Sequence, residues 1–283
     1  MREFSYLAPQ TVSEALALLE AHTGEAVLLN GGTDVVVQLR DRLIAPKFVI
    51  DIKRIEVFHT LTFTEAEGFF IGACVTMNEL AAFAPVKEHY PFLAEAANSV
   101  GSAQVRNRAT CVGNIANASP LADTATPLLA LDALVHAQGP EGRRVIPLKE
   151  FFVFVRKTSL KPGEIVTGIS VPHLAGIKGA FVKISRRAVV DLSTVCLTLA
   201  DHRGDCRVAV GAVAPTPIRL PKTEAFLCGR GYGEDGAVEQ AVNLAHSEIS
   251  PIDDVRATRE YRYDATAAAL RRAAQALRLG GKS

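Results

Sequence analysis

The sequence predicts an α+β fold, and three observations carry that expectation. A short apolar strand (Val27, Leu28, Leu29) enters a glycine turn, Asn30-Gly31-Gly32-Thr33-Asp34, and an apolar helix-like segment follows it. Residues 180–185, 192–200 and 206–214 read as three strands joined by short turns, an antiparallel meander. Two or three helices then finish the chain, the last running from about residue 256 to 278. Strands followed by helices is α+β patterning.

The elements follow in order from local signals. Thr11 and Glu14 have capping-box spacing ahead of a helix over 12–21, and Gly24 supplies its stop. Residues 48–52 predict a second strand, closing a small β-α-β unit by about residue 55. Residues 61–63 and 69–73 predict paired strands around Gly68. Thr76 and Glu79 repeat the capping box, and a further helix is expected over 92–100. Residues 134–137, 145–147 and 164–171 are expected to be strands. The glycine-bearing break at 174–178 suggests a boundary, so the chain divides into 1–55, 56–175 and 176–283.

Composition bounds the function. A chain of 283 residues has room for one large or two to three small domains with a buried core. A net charge of +1 suggests neither nucleic acid nor an anionic membrane as partner. There is no run of eighteen apolar residues for a spanning helix, and the N-terminal residues do not read as a signal peptide. Cys74, Cys111, Cys196, Cys206 and Cys228 show no CxxC and no cluster, so no iron–sulfur centre is expected in this chain. An odd, scattered set suits reduced thiols and a cytoplasmic location. A packing role is expected for Cys111. Seven scattered histidines predict no metal site. Two short matches are set aside. The GxGxxG from Gly231 to Gly236 follows a helix-like run and reads as a loop between helices. The sequon Asn117-Ala118-Ser119 lacks a leader to deliver it to glycosylation.

Two stretches point to chemistry. Residues 104–131 are the least like ordinary core or surface. Gly113, Asn114, Asn117, Ser119 and Asp123 place small and hydrogen-bonding groups at close intervals, with Pro120 stiffening the middle. Such a run leaves its backbone bare for a bulky polar ligand. A helix over 127–131 would follow, with Asp123 or Thr124 as N-cap. A long loop with several turns accounts for the composition equally well. The second stretch is the turn at 30–34, where strand, glycines and helix point free N–H groups at an anion. No lysine follows, so it is not a nucleoside-triphosphate loop. A Gly-Gly turn alone specifies little.

Together these stretches resemble the flavin-binding subunit of the molybdenum hydroxylases, a family that includes the medium subunit of aerobic carbon monoxide dehydrogenase and the flavin domain of xanthine dehydrogenase. Members carry an AGGT/S-like loop and, about eighty residues later, a T-x-GGN-x-x-x-x-SP-x-x-D segment. Here these read Asn30-Gly31-Gly32-Thr33-Asp34, then Thr110-Cys111-Val112-Gly113-Asn114, Ser119-Pro120 and Asp123. The likeness covers essentially the whole chain, including FVKISRRAVVDLSTV from Phe181.

The resemblance implies a vanillyl-alcohol-oxidase (PCMH)-type FAD-binding domain of two α+β subdomains, 1–55 and 56–175, and a C-terminal α+β domain, 176–283. It implies FAD as cofactor, lined by Leu29, Asn30, Gly31, Gly32, Thr33, Asp34, Val35, Thr110, Gly113, Asn114, Asn117, Ser119, Asp123, Val166 and Lys183. Neither loop carries a basic residue, so the diphosphate would rest on backbone N–H groups of 30–35 and the Thr33 hydroxyl. Asn117 and Asp123 would hold the adenosine and ribityl portions. A plain helix cap also explains Asp123, and turn-making explains Thr110 and Asn114. Lys183, Arg186 and Asp191 sit where relatives approach the ring, though a surface strand explains them as well. Val112 stands where relatives usually carry glycine; its φ is expected to be negative and its side chain turned from the flavin.

Implied partners are a 2Fe–2S small subunit and a molybdenum-cofactor large subunit, as a dimer of heterotrimers. Electrons would pass from the iron–sulfur centres through FAD to an external acceptor. Relatives that reduce aromatic thioesters insert a cysteine-bearing loop for a 4Fe–4S cluster; residues 132–151 here contain no cysteine. No triad, paired carboxylates or base suggests substrate chemistry in this chain, so neither catalytic nor metal residues are assigned. Two other readings are a nucleotide-sensing or scaffold subunit and a self-contained flavin oxidase.

Overall fold

The computed structural model describes residues 2–230, 232, 233 and 235–280. The chain opens with a parallel sheet of order β1-β3-β2, comprising β1 (Ser5–Leu7), β2 (Ala26–Leu29) and β3 (Phe48–Asp51). Helix α1 (Val12–Ala21) joins the first two strands and α2 (Val35–Arg40) the next pair. The capping box at Thr11 and Glu14 forms as expected. β1 is absent from the sequence expectations because its residues carry no buried alternation; Tyr6 is 54% exposed.

A five-stranded antiparallel sheet follows, of order β4-β5-β10-β6-β7. Its strands are β4 (Leu61–Thr64), β5 (Gly68–Gly72), β6 (Leu134–Gly139), β7 (Gly142–Pro147) and β10 (Ile165–Val171). Between β5 and β6 lie α3 (Met77–Ala82), α4 (Ala84–His89), α5 (Pro91–Asn98), α6 (Ala103–Arg106), α7 (Cys111–Ala116) and α8 (Ala125–Ala130). The stretch 104–131 is therefore broken into short helices rather than forming one long loop. Helix α9 (Leu148–Phe151) and the small hairpin β8 (Phe152–Phe154) and β9 (Lys157–Thr158) lead from β7 to β10.

The meander is four-stranded: β11 (Lys178–Ile184), β12 (Val195–His202), β13 (Asp205–Gly211) and the short β14 (Ile218–Arg219). Helices α10 (Pro221–Arg230), α11 (Asp235–Glu248) and α12 (Arg259–Arg278) complete the chain. Gly231 and Glu234 of the GxGxxG match lie outside the described residues; Tyr232 and Gly233 stand between α10 and α11.

Two hydrophobic cores meet across β12. Cys196 and Ala200 belong to the first core, with α5, α8 and the five-stranded sheet, while Val195, Leu197 and Leu199 belong to the second, under α11 and α12. Alternate side chains of a strand point to opposite faces, so burial of both sets means this sheet is covered on both sides. Thr198 shares the first face and its hydroxyl lies 2.9 Å from that of Thr126 on α8, which satisfies both buried groups.

Arg262 on α12 is buried at 2% exposure and holds the second core to the sheet. Its Nη1 donates to the carbonyls of Thr194 and Ala212, each at 2.8 Å, and its Nη2 lies 2.8 Å from Asp254. Removing the guanidinium takes this donor from the buried Thr194 and Ala212 carbonyls, while Asp254 keeps its bonds from Arg256 and Ala257. Arg262→Ala is expected to lower unfolding stability by about 3–5 kcal/mol, read as a reduced denaturant midpoint at unchanged slope.

Candidate functional site

The site begins where β2 ends. Asn30 turns its amide onto the core: Nδ2 donates to the Ala73 carbonyl at 2.6 Å. Lys53 Nζ donates to the Asn30 carbonyl at 3.0 Å and to Asp51 at 2.6 Å, and Tyr6 donates its hydroxyl to the same Asp51 at 2.5 Å. Burial raises the Asp51 carboxyl, but hydrogen bonds from Lys53 and Tyr6 outweigh it and hold the group below the usual carboxylate range. The glycine loop thus stands on a charged platform.

Gly31 carries the decisive contact. A Cβ there would lie 2.1 Å from the Arg108 carbonyl oxygen, so only glycine lets this loop touch the chain just before Thr110. Gly32 has φ +79°, the left-handed region. On the other side, Thr110 caps α7, its hydroxyl accepting from the Gly113 N–H at 3.0 Å. Asn114 Oδ1 accepts from Thr124 Oγ1 at 2.6 Å, which fixes the amide's orientation.

Between the loops is a cavity of about 400 Å³. The first wall is Asn30, Gly31, Gly32, Thr33, Asp34 and Val35; the second is Thr110, Val112, Gly113, Asn114 and Asn117; Val166 on β10 and Val105 contribute apolar floor. Asn30 borders the cavity, and its Oδ1 is buried without a hydrogen-bond partner. Helix α2 has only six residues, so its dipole adds little to the loop's N–H groups. A cavity with bare glycine backbone, polar side chains on two walls and an apolar floor fits a nucleotide-bearing cofactor.

Four expected residues stand elsewhere. Leu29 ends β2 opposite Asp51 and is not among the lining residues. Ser119 accepts from the Leu121 N–H at 3.2 Å, while the Pro120 carbonyl receives the Ala212 N–H at 2.7 Å, so this turn packs on the C-terminal sheet. Asp123 caps nothing. Its carboxylate takes Lys183 Nζ at 2.7 Å and a short hydrogen bond from Ser193, and Lys183 also donates to the Ser99 carbonyl at 3.0 Å. Burial pushes the Asp123 carboxyl up, against the pull of Lys183 and Ser193. Thr124 occupies the N-cap of α8 without a capping bond, because its hydroxyl goes to Asn114.

Lys183 and Asp191 line a second cavity of about 630 Å³, which does not include Arg186. Ser99, Gly101 and Ser102 face this second cavity while Val100 and Val105 face the first, so one segment walls both. Residues 99–105 therefore form a shared partition between the two cavities. Val112 lies within α7 and, as expected, has no positive φ; it is 3% exposed and borders the first cavity. Cys111 is fully buried, its thiol pushed up to about 12 by burial, which suits packing. No group of three or more metal-ligating side chains occurs among the described residues.

Sequence reasoning missed Arg156 and Glu164. Arg156 reaches Asp34 from 122 positions away, so no local signal marks it. Glu164 lines the first cavity and is held by Arg144, whose Nε and Nη2 donate at 2.7 and 2.8 Å.

Two glycine-bearing loops closing on a cavity suit a cofactor-binding protein. A family model described as the FAD binding domain in molybdopterin dehydrogenase matches residues 2–174, and one described as the CO dehydrogenase flavoprotein C-terminal domain matches 180–277. The chain belongs to this family of FAD-binding proteins of the molybdopterin dehydrogenases. It is 33% identical over 264 residues to the carbon monoxide dehydrogenase medium chain of Hydrogenophaga pseudoflava, covering 92% of this chain and 91% of that one. It is 31% identical over 265 residues to the xanthine dehydrogenase FAD-binding subunit of Escherichia coli O157:H7, covering 91% and 90%. Among solved structures, the carbon monoxide dehydrogenase from Hydrogenophaga pseudoflava that lacks the Mo-pyranopterin moiety superposes with a TM-score of 0.92 at 32% identity, covering 97% of each chain.

Two outcomes are expected. Gly31→Ala drives a Cβ into the Arg108 carbonyl and should abolish FAD retention, seen as loss of bound flavin absorbance. For Glu164, the Arg144 hydrogen bonds hold the carboxyl below its ordinary value of 4.5. A depressed carboxyl contributes stability above that value and loses it as pH falls through the folded pKa. Glu164→Gln should lower stability near neutrality by about 1–3 kcal/mol and flatten the acid limb of the pH–stability curve, measured by chemical unfolding from pH 7 to 3.

Proposed function

We propose that this chain is the electron-transfer subunit of a molybdenum-containing hydroxylase or dehydrogenase, carrying electrons from 2Fe–2S centres of a partner subunit to an external acceptor. The observation that bears most weight is the cavity between the glycine loops, with a Gly31 that excludes any side chain. FAD bound there supplies the capacity to take electrons singly and release them as a pair. The chain's own residues bind and orient. In this reading the N–H groups of 30–35 and the Thr33 hydroxyl receive the diphosphate, and Thr110, Gly113, Asn114 and Asn117 form the opposing wall. Asp123 and Lys183 act as a buried pair that fixes the second cavity beside the ring, rather than as a helix cap.

The partition into 1–55, 56–175 and 176–283 belongs to the same proposal, the first two parts holding the cofactor and the third covering it. Its support is the separate core beneath α11 and α12. A 2Fe–2S subunit and a molybdenum-cofactor subunit are the partners in this reading, since the five scattered cysteines of this chain offer no iron–sulfur spacing. That relatives are named medium chains and FAD-binding subunits supports an assembly of several polypeptides. No helix among the described residues is long and apolar enough to cross a membrane.

The purified chain should be yellow, and acid precipitation should release the colour into the supernatant; flavin left on the denatured polypeptide would refute non-covalent binding. The lone chain should reduce artificial dyes slowly and turn over no candidate hydroxylase substrate. Adding iron–sulfur and molybdenum subunits should make flavin reduction substrate-dependent. Enzymatic turnover of an organic substrate by the isolated chain would replace this reading with a self-contained flavin oxidase.

A further inference from the structure

Neither loop lining the first cavity carries a cation, yet the fold delivers one to both. Arg156, at the turn of the β8–β9 hairpin, donates from Nη1 to Asp34 Oδ2 at 2.7 Å and to Asn117 Oδ1 at 2.5 Å, with Nη2 3.4 Å from Asp34 Oδ1. Asp34 and Asn117 lie on opposite walls of the cavity, and Arg156 is not itself among its lining residues. The guanidinium therefore spans the rim from one loop to the other.

Three further features point the same way. The Arg156 N–H donates to the Ala118 carbonyl at 2.9 Å, so the hairpin turn is also bound through its main chain to the end of α7. Arg156 has φ +59° and Ala118 φ +47°, two side-chain-bearing residues held in the left-handed region. Glycine at 156 would relieve that strain and forfeit the guanidinium. Asp34 occupies the N-cap of α2 but makes no capping bond; its carboxylate is taken by Arg156 and, through a short hydrogen bond, by Gln38.

We propose that Arg156 is a latch: a positioning residue that ties the two loops across the cofactor and sets how fast the dinucleotide leaves. The inference rests on the reading of this cavity as the FAD site. The Arg156 and Asp34 side chains are 51% and 39% exposed, so the tie is water-accessible and salt-sensitive. Such a tie can open and reclose, whereas a buried pair would trap the ligand. Because the hairpin lies outside the lining, its loss alters release more than it alters the binding surface.

The test uses the full-length chain reconstituted with FAD, following the return of free-flavin fluorescence after dilution. Arg156→Ala should release FAD about three- to tenfold faster, with the rate of uptake little changed. Raising salt from about 0.05 to 0.5 M should speed release from the wild type and leave Arg156→Ala nearly unaffected. Asp34→Asn combined with Arg156→Ala should release FAD no faster than Arg156→Ala alone. Arg156→Lys, which keeps the charge without the forked donor, should fall between, and serves as the readout if the alanine variant does not fold. Wild-type release rates in both arginine variants overturn the latch. So does an equal loss of thermal stability in the FAD-free and FAD-bound forms without a change in release. If the wild type takes up no FAD, the flavin reading itself falls, and the latch with it.

Discussion

A single close approach holds the site together: the backbone of Gly31 lies against the carbonyl of Arg108, with no room for even a methyl group. Two segments nearly eighty positions apart are thereby brought to one cavity. Everything else in the site depends on that contact. It sets the distance between the turn after β2 and the start of α7, and so the width of the slot between them. Bare backbone at Gly31 and Gly32 then allows close approach from one side, while on the other the Gly113 N–H is already taken by the Thr110 hydroxyl.

The charges that serve this slot come from outside it. Lys53 supports the Asn30 carbonyl from beyond β3, and Arg156 spans the rim from a hairpin. Keeping cations off the loops leaves the backbone free for close approach, while neighbouring elements supply the electrostatics. These contacts couple the cofactor site to elements outside the loops.

Asp123 shows how tertiary context changes a residue's role. From sequence alone it suits a helix cap or a ligand contact. In the structure it is buried, paired with Lys183 and bonded by Ser193, both from the C-terminal part. The pair fastens α8's approach to the meander at the boundary between the two cavities. A buried pair of this kind contributes more to fixing geometry than to net stability, because desolvation offsets most of its attraction.

Local signals in the chain were sufficient for much of this. The capping boxes at Thr11 and Thr76, the glycine turn at 30–34 and the alternating runs of the meander each specify an element through short-range sterics and hydrogen bonding. The two spaced glycine motifs marked the cavity's opposing walls, Asn30 to Val35 and Thr110 to Asn117, because bare backbone is written directly in composition. Only the tertiary structure decided what lies across long separations. β1 and β14, three and two residues long, are too short to carry a pattern and are defined by pairing with β3 and β13. The partnering of Arg156 with Asp34 and of Lys183 with Asp123 likewise depends on chain reversals that no local pattern encodes, since a charged side chain reads the same in sequence whether water or a distant carboxylate will meet it.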